Sequence, residues 1–104
     1  MTQDIGYASE KLYLAMHTLV RGMGDLRSRV HGAWTSFHTL RPEDLPGAIG
    51  EELQGIYSEL TRYGETAPGM GTVHGTLERL SDSDVQALAE RIWNLYEAVR
   101  DFDV

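Results

Sequence analysis

The chain has no cysteine among its 104 residues. That absence excludes disulfides and thiolate metal sites, and it is compatible with a reducing compartment. It has one lysine, Lys11, beside eight arginines, and these cations form no basic run. A surface that follows a phosphate backbone needs clustered cations, so direct nucleic-acid binding is not expected. Uninterrupted apolar stretches are also missing, as is the basic-then-apolar order of a signal peptide. No membrane association and a cytoplasmic location are the resulting expectations. Proline is scarce, and two of the three prolines, Pro42 and Pro46, fall together at the clearest boundary in the chain.

What the chain does have is a helical period. Ile5, Ala8, Leu12, Met16, Leu19, Met23, Leu26, Val30, Ala33, Phe37 and Leu40 follow one another at steps of three or four. This keeps one apolar face in phase for about ten turns. Gly22 and Gly24 interrupt it, each costing a helix interior roughly 1 kcal/mol against alanine. Asp25 is placed to cap a new helix, so the stretch reads as two helices folded at the glycines. The column Ala8, Ala15 and Gly22 is small enough to admit a close neighbour.

A third helix begins at the proline boundary, with Asp44 as its expected cap, Pro46 in its first turn, and Leu45, Ile49, Leu53, Ile56, Leu60 and Tyr63 as its face. Gly64 would stop it. Residues 64–75 then read as a flexible, glycine-rich loop. Its glycine spacing matches no phosphate-binding motif, and no strand precedes it. Residues 76–80 can form a helical turn. Ser81 caps a last helix carrying Val85, Leu88, Ile92, Leu95, Val99 and Phe102. The expected fold class is all-α: one compact four-helix bundle-like domain spanning residues 1–104. Its helices are placed near 4–21, 25–40, 44–63 and 81–102.

Charge is distributed unevenly. Residues 1–41 hold five basic and three acidic groups, whereas residues 42–104 hold four basic and thirteen acidic ones, within a net charge of −7. Solubility alone accounts for such acidity, and attraction to a basic partner is the sharper alternative. Arg29 falls on the apolar border of the second helix, where a lone charge is expensive to desolvate. Glu52 and Glu59 border the third helix's face, so a structural ion pair from Arg29 to one of them is expected.

Candidate chemistry is thin. His17, His31 and His38 recur at intervals of seven, about 10.5 Å of helical rise, too far for two imidazoles to share one zinc. His74 stands alone in the expected loop. Paired carboxylates are numerous (Glu51 and Glu52, Asp82 and Asp84, Asp101 and Asp103), but acid–base work also needs a cleft and a shifted pKa. The Glu-x-x-His pairs of di-metal bundles are absent. No catalytic, cofactor or metal residue is assigned, and no enzyme activity is expected.

The aromatic residues carry more. On a helical wheel Trp34 lies about 70° from the centre of its apolar stripe, Tyr57 about 80° and Trp93 about 110°. His31 and His38 lie further round from Trp34. Glu90, Glu97 and Arg100 neighbour Trp93 on the wheel. Tyr13 and Val20 are displaced in the same way in the first helix. Tryptophan with arginine is the composition of interface anchors, so Trp34, His31, His38, Trp93 and Arg100 are the candidate partner-binding residues. The expected function is that of a small acidic, non-catalytic protein-interaction or regulatory protein of bacterial or phage type. Its partner would be another protein or a second copy in a homodimer. The alternative is an acidic inhibitor that mimics nucleic acid, of the anti-restriction or anti-CRISPR kind. A small metal-dependent enzyme is the third option.

Overall fold

The computed structural model describes residues 5–65, 69 and 71–102. The first residue expected of the first helix, Asp4, the carboxylate Asp103 and residues 66–68 and 70 of the glycine-rich stretch lie outside the described residues. The protein is all-helical. The described residues form five α-helices and one 3-10 turn and no strand: α1 (Ile5–Arg21), α2 (Leu26–Phe37), the turn Pro42–Asp44, α3 (Gly47–Leu60), α4 (Thr72–Arg79) and α5 (Asp82–Phe102).

The long apolar period breaks at the glycines. α1 ends at Arg21, Gly24 adopts a φ of 91° that a side chain would strain, and α2 starts anew. Asp25 caps α2 by accepting the Ser28 backbone N–H at 2.9 Å. That backbone bond is the main reason its carboxyl is held below the usual carboxylate value. The two helices then lie close together: a Cβ placed on Gly32 would come within 3.0 Å of Thr18 Cγ2. α1 also packs against α5, α3 packs on α5 and the 3-10 turn, and α4 touches α2 and α3.

Three boundaries differ from expectation. α2 stops at Phe37 and not near Leu40, because Pro42 forces Arg41 into extended backbone (φ −111°, ψ 132°) and the chain must unwind ahead of it. Asp44 does not cap α3. It closes the 3-10 turn, and Pro46 occupies the cap position with no side-chain bond, since proline again extends the residue before it. α3 ends at Leu60 and not at Tyr63, where Thr61 turns its hydroxyl back to the Tyr57 carbonyl at 2.8 Å.

The largest correction concerns residues 64–75. A fifth helix, α4, begins there at Thr72, so four helices become five. Its glycine, threonine and valine residues have poor helix propensity, and tertiary burial overrides it. Thr76 is fully buried, donates to the Tyr63 carbonyl at 2.7 Å and accepts the Tyr63 N–H at 3.0 Å. One side chain thereby ties α4 to the segment that follows α3.

α5 follows its sequence pattern, with Ser81 accepting the Asp84 N–H at 3.1 Å and Val85, Leu88, Ile92, Leu95 and Val99 buried. The core joins these residues to the faces of the other four helices. Two members of the apolar stripes neither belong to it nor pack against it. Met23 is 91% exposed because it lies in the turn, and Phe102 is 56% exposed at the last position of α5. No described helix is long and apolar enough to cross a membrane.

Candidate functional site

The polar side chains nearest the core mostly serve the fold. Arg29 does not pair with Glu52 or Glu59. Its Nη1 donates to the Leu19 carbonyl at 2.7 Å, one of the orphan acceptors in the last turn of α1, while its Nε is buried without a partner. Gly22 makes this approach feasible, since a Cβ there would come within 3.3 Å of the Arg29 stem. The two carboxylates are engaged elsewhere: Glu52 with Arg91 of α5 at 3.1 Å, and Glu59 with Arg62 at 3.4 Å. Arg27, not singled out in the sequence, reaches from α2 to the Leu77 carbonyl at the end of α4 and to Asp82 at the start of α5.

Tyr57, displaced from its stripe on the wheel, is a structural residue. Its ring stacks on Phe37, and its hydroxyl lies 2.7 Å from the Leu40 carbonyl and 3.0 Å from that of Phe37. With one proton to share between them, it serves the carbonyl of the last residue of α2 and that of Leu40 beyond it. Burial pushes the phenol above its ordinary pKa.

The expected partner-binding residues fall into two places: a row around Trp34 at the end of α2, and the face of α5 where Trp93 and Arg100 both lie against the Tyr96 ring. Trp34 is half-buried against the core, between the rings of His31 and His38 at centroid distances of 5.8 and 5.4 Å. His74, carried by α4 and not by a loop, extends this row by meeting the His31 ring edge-on at 6.2 Å. Its Nε2 also lies 3.5 Å from a Glu78 oxygen. A polar pocket of about 270 Å³ opens beside them, lined by Arg27, His31, His74 and Glu78 among others. Among the described residues no group of three histidines or carboxylates is arranged to hold a metal ion. Arg100 is exposed and engages its own helix, pairing with Glu97 at 3.7 Å and Asp101 at 3.4 Å and lying over the Tyr96 ring.

Trp93 stands in different surroundings. It lines an apolar groove of about 370 Å³ between α1, the start of α2 and α5. Met16, Leu19 and Val20 form one side, Ala89 and Trp93 the other, Leu26 contributes from α2, and Gln86 and Glu90 are the polar members. Val20 is 78% and Trp93 44% exposed. A tryptophan this open is uncommon in a folded chain, and an apolar groove with a polar margin is the form that a docking site takes. The displaced wheel positions of Val20 and Trp93 signal the groove in the sequence. The participation of Leu26 and Ala89 depends on which helices become neighbours. No protein-family profile, curated protein or solved structure matches this chain.

Proposed function

We propose that this protein is a non-catalytic interaction module whose partner protein docks in the groove beside Trp93. The observation that carries this reading is the half-exposed Trp93 facing a more exposed Val20 across an apolar cleft. Aromatic anchors of this kind dominate binding energy where they can be desolvated by a partner. Trp34, already half-covered by the protein's own core, His31 and His38, is a secondary candidate. Arg100 is committed to Glu97, Asp101 and Tyr96 and is left out of the contact. The reading requires no cofactor and no membrane.

A photo-crosslinking residue placed at position 93 or 20 should give a discrete protein adduct, whereas one at the exposed Ser58 should not. Val20→Glu, which puts a charge in the groove, should abolish the adduct from position 93. The adduct should persist as salt rises, because apolar docking is little screened. Crosslinks that vanish steeply with salt, or that form equally well from position 58, would count against the groove and favour an acidic mimic of nucleic acid.

A further inference from the structure

The groove has one charged residue in its lining, Glu90, and an opposite charge next in the chain to its lining residue Val20. Arg21 follows Val20 as the last residue of α1 and is exposed, and Glu90 lines the groove from α5. Neither makes an ion pair among the described residues, although most other arginines do. A cleft with a cation beside one wall and an anion on the other is complementary to itself. A twofold axis passing alongside it would set each Arg21 against the other copy's Glu90. A uniformly basic partner would meet Glu90 but be repelled by Arg21; a second copy satisfies both.

The turn between α1 and α2 supplies a matching shape. Met23 lies between the groove residues Val20 and Leu26 in the chain, does not line the groove itself, and is 91% exposed. It is a protruding apolar knob beside an apolar hole. Methionine is unbranched and adapts to irregular gaps. In an isologous pair each surface is presented twice, so each Met23 can enter the other copy's groove against Trp93. From the knob, the hole and the unpaired opposite charges, and resting on the reading of the groove as a docking site, we infer that its occupant is a second copy of this chain in a twofold dimer.

Sedimentation of the full chain from micromolar to millimolar concentration tests this. The mass should rise from monomer to dimer and stop there, since an isologous contact closes. Arg21→Glu or Glu90→Arg alone sets like charges together and should weaken the dimer by about tenfold or more. The double variant restores the pair in reverse and should return the dissociation constant to within about threefold of wild type. Met23→Gln, in a fully solvated turn, should weaken the dimer without lowering the melting temperature of the monomer. A chain that stays monomeric at millimolar concentration, or a dimer indifferent to both charge reversals and to Met23→Gln, overturns the inference. In those cases a salt-resistant adduct from position 93 to a different protein leaves the docking reading intact. Loss of the folded monomer in Trp93→Ala would remove both.

Discussion

At the scale of single residues, the fold depends on side chains that reach backbone groups far away in the chain. Arg29 serves the end of α1, Tyr57 the carbonyls at and past the end of α2, Arg27 the end of α4, and Thr76 both polar groups of Tyr63. Each donates to a backbone carbonyl at or just beyond a helix end, where an unmet acceptor costs about 1–3 kcal/mol. Tyr57→Phe keeps the ring stacked on Phe37 and removes only the hydroxyl. It should therefore lower unfolding free energy by about 1–3 kcal/mol, read from the denaturant midpoint. An unchanged midpoint would mean that water replaces the hydroxyl without loss. Arg29 and Glu52 should show no coupling in a double-mutant cycle, within about 0.5 kcal/mol, because Arg29 is held by a carbonyl and Glu52 by Arg91. The sequence showed that Arg29 needed a partner. It could not show that the partner was a backbone group, since a carbonyl becomes available only where a helix ends.

At the scale of elements, existence followed the apolar period and boundaries followed proline and glycine. α1, α2, α3 and α5 were legible because each buries a stripe with three-four spacing strong enough to outweigh local propensity. α4 was not, because it is only eight residues long and two of its four buried positions are Gly75 and Thr76, so large apolar residues do not recur often enough to show a stripe. The start of α3 shows how a proline pair builds a step: Pro42 opens the 3-10 turn, and Pro46 delays the helix to Gly47. Gly50 completes the step, because a Cβ there would be driven into the Pro42 carbonyl. Gly50→Ala should therefore cost roughly 1–3 kcal/mol through overpacking. Gly47→Ala, which meets nothing within 4 Å, should instead stabilise by about 0.4–1 kcal/mol. Thermal melts of the two variants should shift in opposite directions. Two shifts of the same sign would mean that α3 does not rest on the turn as described.

At the scale of the whole molecule, what matters is which apolar surface is left open once the helices have packed. Met16 and Leu19 belong to the stripe of α1, yet they also border a groove that α5 does not fill, and Trp93 stands over it 44% exposed. Wheel positions located Trp93 and Val20, but the groove itself depends on α1 and α5 being neighbours, which no local pattern specifies. The account's central claim is that Trp93 serves a partner and not the fold. Urea unfolding of Trp93→Ala, at a concentration dilute enough to keep the chain monomeric, tests it most directly, with the fully buried Leu95→Ala as reference. The Trp93 variant should unfold within about 1 kcal/mol of wild type, as surface positions do, while Leu95→Ala loses about 2–5 kcal/mol. A loss of about 3–5 kcal/mol in Trp93→Ala, the cost of emptying a core aromatic site, would contradict the account.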